Sequence, residues 1–264
     1  MIKLFVTDID GTLLPAGGKV SEKNIEAIQK MTAAGVEVAI ATGRMYCAAL
    51  PIAAQLGVSV PIIAYNGALI KSSAGEILHE KFLDSAVALR LINFFEERGW
   101  HLQSYVDDIL YVPELNSCAK FYEDSQKVTA HAVGWEGMRS RVKGITKLLS
   151  ISDTDAEIIE RMNEVKKFFG GQAEITRSAP RFAEFMAPGV TKAGAIKILA
   201  DKLGIANSEI LAIGDSDNDL QMLTSVGTGV AMGNAVPAVL AACKIVTDTC
   251  ENDGLAKAVY DYVL

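Results

Sequence analysis

The N-terminal part of the chain alternates short apolar runs with segments of helical periodicity. The apolar runs predict strands at residues 4–6, 36–41, 61–65, 68–72 and 76–81, the last two forming a hairpin. Ser21 predicts the N-cap of a first helix, which carries Ile25, Ile28 and Met31 on one face, and residues 45–56 predict a second helix. Strand–helix alternation of this kind is typical of a parallel sheet with right-handed crossovers.

The strand–helix alternation stops near residue 83 and resumes near residue 188. Between them the chain predicts helix, strand, strand and then the same again, which indicates a separate α+β unit with an antiparallel sheet. Residues 131–144 show no clear periodicity. After Pro188-Gly189 the α/β alternation resumes with predicted helices at 191–203, 236–242 and 254–264 and predicted strands at 210–213, 227–232 and 244–247. We therefore expect an α/β fold: a Rossmann-like parallel-sheet core from residues 1–82 and 188–264, with an inserted α+β cap at 83–187.

Composition narrows the class of protein. Half of the 264 residues are hydrophobic, and 25 basic against 32 acidic residues give a net charge of −7 without any Lys/Arg block. Nucleic acid and anionic membranes are therefore not expected partners. The four cysteines are scattered, which argues against zinc, and neither a signal peptide nor a bilayer-spanning apolar stretch is recognisable. The expectation is a soluble, cytoplasmic protein. The sequence makes no prediction of its oligomeric state.

The first strand ends in two acidic residues, Asp8 and Asp10, followed by Gly11. If the chain stays extended, alternation places both carboxylates on one side, where either one pKa rises or a cation enters. Such a pair suits chemistry in which one acid attacks or holds a metal while the other carries a proton. The alternative is an Asp-Gly turn with solvated acids, leading into a loop that contains Gly17 and Gly18.

Other polar residues also follow predicted strands or begin predicted helices, the positions at which open α/β sheets bind ligands. Thr42 and Gly43 offer a hydroxyl and backbone N–H groups to an oxyanion, although Thr42 could simply cap a helix. Lys192 lies at a helix N-terminus, where its charge opposes the helix dipole and an anion would favour it. A solvated surface lysine is the alternative reading of Lys192.

The short segment 214–219, GDSDND, contains three acidic residues and one amide: Asp215, Asp217, Asp219 and Asn218. One acid could cap the following helix, but three suit a hard cation with oxygen ligands. The segment lacks the glycine and glutamate of an EF-hand loop, and a parallel-sheet site with few carboxylates suits Mg²⁺. Together with Asp8 and Lys192, these residues predict phosphoryl transfer.

Taken in order, four segments resemble the motifs of the haloacid dehalogenase superfamily: DIDGT (8–12), ATGR (41–44), Lys192 and GDSDND (214–219). The position of the inserted unit, YNGA (65–68) and ENDGLAKAV (251–259) are similar to the Cof-type branch with a C2-type cap. The resemblance implies a Mg²⁺-dependent phosphatase for a small phosphorylated metabolite, with sugar phosphates as the first expectation. It also implies a cap that closes over the site.

The resemblance further implies residue roles. Asp8 would attack phosphorus and form an aspartyl phosphate, while Asp10 would act as general acid and then general base. Thr42, Gly43 and Lys192 would hold the phosphoryl group. The metal would be held by Asp8, the backbone carbonyl of Asp10, Asp215 and Asp219. Asn218 would support the phosphate site. The expected substrate contacts are Arg44, Asn66 and Glu184. Asn66 could equally be a turn residue, and Glu184 a charge on a strand face.

Two other functions fit parts of the pattern. A sugar phosphomutase would return the phosphoryl group to a bound sugar, and nothing in the predicted cap excludes it. A non-catalytic phospho-receiver or metal-dependent binding module would need the acceptor aspartate and metal ligands but not a second acid placed like Asp10. The presence of Asp10 therefore favours an enzyme that turns over its substrate rather than a receiver or binding module.

Overall fold

The computed structural model describes residues 1–15 and 18–264, so Gly17 of the predicted loop lies outside the described residues. The chain divides into two compact units. The first, which we call the core unit, is Met1–His79 with Thr191–Leu264, and the second, the inserted unit, is Glu80–Val190. These bounds differ from the expected domain limits by three residues at each junction.

The described residues form short strands and helices. The strands are β1 (Leu4–Thr7), β2 (Glu37–Ala41), β3 (Pro61–Ala64), β4 (Leu69–Ser72), β5 (Ile77–Glu80), β6 (Gln103–Val106), β7 (Ile109–Val112), β8 (Ala130–Ala132), β9 (Ile145–Ile151), β10 (Glu174–Thr176), β11 (Phe182–Met186), β12 (Ile210–Gly214), β13 (Thr228–Ala231) and β14 (Ile245–Val246). The α-helices are α1 (Glu22–Ala33), α2 (Tyr46–Ala54), α3 (Ser85–Glu97), α4 (Ser117–Gln126), α5 (Gly134–Arg139), α6 (Asp155–Phe169), α7 (Lys192–Leu203), α8 (Leu220–Ser225), α9 (Pro237–Ala242) and α10 (Gly254–Tyr262).

The core unit is built on a sheet with the strand order β14-β13-β12-β1-β2-β3-β4-β5. The pairs from β14 to β3 are parallel, and β4 runs antiparallel to β3. The predicted α/β fold with a parallel-sheet core is therefore confirmed. Because β1 lies between β2 and β12, the carboxyl ends of these three strands meet at one edge of the sheet.

Apolar strands explain why this sheet is buried on both faces. All four residues of β1 are buried, and one face packs with Ile196 and Leu199 of α7 in a continuous apolar cluster. Thr191 caps α7 because its Oγ1 accepts a hydrogen bond of 3.0 Å from the backbone N–H of Gly194. The helix ends at Gly204 in the left-handed region, as its sequence predicts. Cap and packing together fix the N-terminus of α7, which begins with Lys192.

The inserted unit contains a second sheet, with the order β10-β11-β9-β6-β7-β8. Its pairs are antiparallel except β7 with β8, and one face carries an aromatic core that includes Phe95 and Phe185. The sequence did not predict β8 or α5, which fall within or beside residues 131–144. A strand of three residues and a helix of six are too short to show periodicity.

Across residues 1–15 and 18–264, no helix combines the length and the apolar character needed to cross a membrane.

Candidate active site

Asp8 directly follows β1, between the ends of β2 and β12. Its backbone N–H donates a hydrogen bond of 3.1 Å to the carbonyl of Ile213, so the residue continues the strand pairing, and Asp8 is 5 % exposed. The chain then turns: the backbone N–H of Leu14 bonds the carbonyl of Ile9 at 2.8 Å, and Gly11 takes a φ of +77°. The Asp10 side chain is 55 % exposed, whereas Asp8 is buried.

Lys192 lies between two buried carboxylates. Its Nζ donates to Oδ1 of Asp8 at 2.7 Å and to Oδ1 of Asp219 at 2.6 Å, and its side chain is 1 % exposed. The reading of Lys192 as a solvated surface residue is thus wrong. Burial disfavours the charged lysine, but Asp219 and Asp8 outweigh burial and raise its pKa above the ordinary value. Two carboxylates offset the unfavourable placement of a cation at a helix N-terminus.

Asp219 is fully buried, and hydrogen bonds occupy both of its oxygens. Besides the lysine on Oδ1, Oδ2 accepts the backbone N–H groups of Asp215 and Ser216, each at 3.0 Å. A Cβ added to Gly214 would lie 2.6 Å from Cγ of Asp219, so this position has room only for glycine. Asp219 therefore ties Lys192 to the loop that carries Asp215.

Asp215 faces the turn that follows β1. Its Oδ1 accepts a hydrogen bond of 2.7 Å from the hydroxyl of Thr12, and its Oδ2 accepts one of 3.1 Å from Ser216. A Cβ on Gly11 would lie 2.5 Å from the same Oδ2, which explains glycine there. Burial, and then the charge of Asp219, raises the pKa of Asp215 to about 6.

Asp8, Asp215 and Asp219 form one buried acidic cluster, in which one carboxylate oxygen of each residue lies within 4.8 Å of the others. Burial, followed by the charge of Asp219, raises the pKa of Asp8 well above its ordinary value. If all three are ionised, Lys192 alone leaves the cluster with a formal charge of −2. A hard divalent ion prefers oxygen ligands, and it would offset the negative charge that these buried carboxylates carry in excess of Lys192.

Asp10 is not one of these three clustered acids, and its carboxylate pairs with Arg44. The guanidinium donates from Nε to Oδ2 at 2.7 Å and from Nη2 to Oδ1 at 2.5 Å. The backbone N–H of Arg44 donates to Oγ1 of the buried Thr42 at 3.1 Å. Thr42 is not a helix cap, because α2 begins at Tyr46 with Met45 as its N-cap. Residues 42–44, including the partly buried Gly43, form a connection that places a hydroxyl and a guanidinium beside the end of β1.

Asn66 and Asn218 contact each other. Nδ2 of Asn218 donates to Oδ1 of Asn66 at 3.0 Å, and the backbone N–H of Asn66 donates to the carbonyl of Thr42 at 2.9 Å. Asn66 is buried in the left-handed region at a φ of +55°, so it is a turn residue as well as a site residue. Oδ1 of Asn218 is enclosed and has no hydrogen-bond partner within residues 1–15 and 18–264.

Glu184 lies in the inserted unit, on β11. Its Oε1 accepts a hydrogen bond of 2.5 Å from Nζ of Lys147 on β9, and each side chain is 1 % exposed. The description of Glu184 as a charge on a strand face thus holds, but the charge is buried and paired. The other expected site residues all belong to the core unit.

Sequence reasoning missed two polar residues that hold the site together, Thr12 and Asn234. Asn234 donates from Nδ2 to the carbonyl of Gly11 at 2.8 Å and accepts the backbone N–H of Cys250 at Oδ1, also at 2.8 Å. It therefore links the turn after β1 to the Cys250 segment. The sequence feature that could have indicated Asn234 is the Gly-Asn pair directly after the predicted strand 227–232, which corresponds to β13.

Comparison with known proteins finds relatives along the whole chain. The family model for haloacid dehalogenase-like hydrolases matches residues 5–259. A 5-amino-6-(5-phospho-D-ribitylamino)uracil phosphatase from Bacillus subtilis is 31 % identical, with 100 % of this chain and 96 % of the relative covered. An HMP-PP phosphatase from an Enterobacter species is 28 % identical over 91 % of this chain and 88 % of the relative. A solved subclass IIB sugar phosphatase of the same superfamily is 27 % identical, with a TM-score of 0.86 over 98 % of each chain.

Proposed function

Since the chain belongs to the haloacid dehalogenase-like hydrolases and is a phosphatase, we propose that it hydrolyses a small phosphorylated metabolite in a Mg²⁺-dependent reaction through an aspartyl phosphate on Asp8. A sugar phosphate is the first substrate class, on the strength of the sugar phosphatase to which the chain is similar. The observation that carries the proposal is the cluster of Asp8, Asp215 and Asp219 around a single lysine at the end of β1.

The residues present fit a magnesium ion. All three clustered side chains offer hard oxygen donors, and their negative charge exceeds that of Lys192. Asp8, Asp215 and the backbone carbonyl of Asp10 would hold the ion. Asp219, whose oxygens already accept three hydrogen bonds, would position Lys192 and the Asp215 loop. When bound, the ion supplies neutralisation of the phosphoryl charge.

Asp8 is suited to be the nucleophile. Its Oδ1 is held by Lys192, whereas Oδ2 accepts no hydrogen bond from the described residues. In the first step Oδ2 attacks phosphorus, the bond from phosphorus to the leaving oxygen breaks, and Asp10 gives that oxygen a proton. In the second step Asp10 takes a proton from water, the water oxygen attacks phosphorus, and the acyl phosphate breaks to inorganic phosphate and free Asp8.

The phosphoryl oxygens need donors at fixed positions. Lys192 supplies a charge at Asp8 itself, and Thr42 supplies a hydroxyl from the connection after β2. The backbone N–H of Gly43 and the amide of Asn218 would complete this set. Thr42 and Lys192 are buried and hydrogen-bonded, so little reorganisation of these two side chains is expected during the reaction.

Arg44, Asn66 and Glu184 remain proposed substrate contacts. Arg44 donates two hydrogen bonds to the carboxylate of Asp10, so its guanidinium can turn to a substrate only after the pair separates. A guanidinium released in this way is available to an anionic or hydroxyl group of the substrate. Glu184 would act together with Lys147, because removing either partner leaves a buried charge unpaired.

A substrate panel with p-nitrophenyl phosphate as a generic probe tests the proposal. Each phosphorylated metabolite is assayed with Mg²⁺, with chelator, and with the Asp8→Asn variant. Phosphate release that requires both Mg²⁺ and Asp8 is expected. If Asp8 becomes labelled but phosphate appears only as a transfer product that requires a bisphosphate activator, the enzyme is a mutase. With neither labelling nor release, the proposal is wrong.

A further inference from the structure

The turn Tyr65–Gly67, which we call the YNG turn, follows β3 and has a backbone that is unusual for its residues. Tyr65 and Asn66 have φ values of +51° and +55°, and Gly67 has a φ of +110°. The left-handed region is unfavourable for residues with a Cβ, above all for a bulky tyrosine. Such a conformation persists where surrounding contacts impose it, and it is found most often at functional sites. The contacts of this turn therefore indicate what it does.

Backbone hydrogen bonds join the YNG turn to the segment that carries Thr42. The N–H of Tyr65 donates to the carbonyl of Arg44 at 3.0 Å, and the N–H of Asn66 donates to the carbonyl of Thr42 at 2.9 Å. Asn66 and Thr42 are both buried. Because two consecutive amides bond within one short connection, the turn fixes the backbone of residues 42–44 relative to itself.

The same turn packs against the start of α7, the helix that begins with Lys192. A Cβ added to Gly67 would lie 2.5 Å from the carbonyl oxygen of Thr191 and 2.9 Å from Cβ of Ala195. Neither distance leaves room for a side chain, and the positive φ gives a second reason for glycine. The backbone of the turn is therefore in direct contact with the N-cap residue of this helix.

The side chain of Asn66 reaches a third segment of the site, residues 214–219. Its Oδ1 accepts a hydrogen bond of 3.0 Å from Nδ2 of the partly buried Asn218. An amide nitrogen carries two N–H donors, so the bond to Asn66 leaves a second donor for a phosphoryl oxygen. With Oδ1 of Asn66 in this place, a reversed Asn218 amide would bring two acceptors together and lose the bond. The contact thus selects the orientation in which Asn218 can donate.

We infer that Asn66 is a positioning residue, which sets the orientation of the Asn218 amide for the phosphoryl group. The YNG turn as a whole fixes the positions of Thr42, Lys192 and Asn218 relative to one another. The inference rests on the proposed function, in which these three residues are donors to the phosphoryl group. It assigns Asn66 a role different from the substrate contact proposed above.

The two roles of Asn66 predict different kinetics. A residue that acts through Asn218 affects every substrate alike, because all substrates share the phosphoryl group. A contact with the leaving group affects each metabolite differently and leaves p-nitrophenyl phosphate unchanged. Inorganic phosphate, which has no leaving group, is therefore a suitable inhibitor for separating the two roles.

A double-mutant cycle measures whether Asn66 acts through Asn218. Asn66→Gly removes the amide and suits the left-handed backbone. It should lower kcat/KM about tenfold with p-nitrophenyl phosphate and with each accepted metabolite, the loss expected for one hydrogen bond to a charged group. The inhibition constant of inorganic phosphate should rise by a similar factor. In an Asn218→Ala protein, Asn66→Gly should change either quantity by less than about twofold.

The side-chain amide of Asn218 gives a readout that needs no turnover. Proton–nitrogen correlation NMR spectra show its signals, which Asn218→Ala identifies by their loss. We expect these signals to shift in Asn66→Gly and the amide to become more mobile. Lys127→Gly makes the matched change at an exposed residue of the inserted unit with a φ of +56°, and it should alter neither activity nor these signals. Circular dichroism verifies that each variant is folded.

The inference is overturned if Asn66→Gly has no effect in the parent, or if it costs as much in the Asn218→Ala protein as in the parent. It is also overturned if the Asn218 signals do not respond to Asn66→Gly, or if only the KM of particular metabolites changes. A parent protein that releases no phosphate refutes the proposed function instead. The NMR response then still decides whether Asn66 holds Asn218, so the two failures are distinguishable.

Discussion

Arg44 donates two hydrogen bonds, of 2.7 and 2.5 Å, to the carboxylate of Asp10. This carboxylate is not part of the buried cluster around Asp8. A fork of this kind fixes both the position and the orientation of a carboxylate. If Asp10 is the general acid and base, the guanidinium sets the geometry from which the proton transfer begins. On this proposal, Arg44 is a positioning residue for Asp10 as well as a substrate contact.

Replacing Arg44 by lysine keeps the charge but removes the fork. We expect Arg44→Lys to lower kcat by about tenfold with a smaller change in KM, because proton transfer by Asp10 is impaired more than binding. Steady-state kinetics with p-nitrophenyl phosphate measures both constants. Arg90→Lys, at an exposed arginine of the inserted unit, is the control and should have no effect. A rise in KM with kcat unchanged would instead make Arg44 solely a substrate-binding residue.

Lys192 neutralises two buried carboxylates, and its loss should affect stability as well as catalysis. Lys192→Met should lower kcat/KM by at least about a thousandfold and the free energy of unfolding by about 3 kcal/mol at neutral pH, the range for breaking a buried ion pair. Urea denaturation measures the stability. Lys197→Met, on an exposed turn of the same helix, should change neither quantity appreciably. Unaltered stability in Lys192→Met would contradict the buried ion pairs.

The acidic cluster predicts an unusual pH dependence for the metal-free protein. Folding raises the pKa of Asp215 to about 6, so between this value and the unfolded pKa the native state binds more protons than the unfolded state. Stability from this group therefore increases as the pH falls from about 7 to about 5, by an amount of order 1 kcal/mol. Urea midpoints in chelator across this range should show the trend, and Asp215→Asn should show a weaker one, because Asp8 also has a raised pKa.

Magnesium should reverse that trend. Bound metal favours the ionised carboxylates, so added Mg²⁺ should stabilise the protein at about pH 7.5 and lose its effect as the cluster protonates. Thermal unfolding with Mg²⁺ and with chelator at several pH values measures this. Equal stabilisation of the parent and of Asp215→Asn by Mg²⁺ would place the ion elsewhere.

The order of the secondary-structure elements could be predicted from the sequence. The proximity of Asp8, Lys192 and Asp215 could also be predicted, because each of these residues follows a strand or starts a helix. A parallel sheet brings such positions together at one edge. The pairing of Asp10 with Arg44 could not be predicted, because it depends on the turn after Asp8. The contact between Thr12 and Asp215 joins residues 203 positions apart, and no local pattern encodes it. Likewise, the sequence places a charge at Glu184 but does not reveal Lys147 as its partner.

Asn234 provides a test of whether the turn after β1 must be held from outside. Asn234→Ala loses the bonds to Gly11 and Cys250 and should lower kcat by about tenfold and stability by about 1–2 kcal/mol. Asn234→Asp keeps the acceptor for Cys250 but loses the donor to Gly11, so it should recover stability more than kcat. Asn252→Ala, a surface amide bonded to Asp248, is the control. Equal recovery of both quantities would make the role of Asn234 merely structural.

The aspartyl phosphate on Asp8 is the central claim, and trapping it is the most direct test. The Asp10→Asn variant, which lacks the base for hydrolysis, is mixed with substrate and Mg²⁺, quenched in acid, digested and analysed by mass spectrometry. The account predicts one phosphoryl group on Asp8, labile to hydroxylamine, and none in Asp8→Asn. Phosphate release by Asp8→Asn at the parental rate, or a phosphoryl group on another residue, would contradict it.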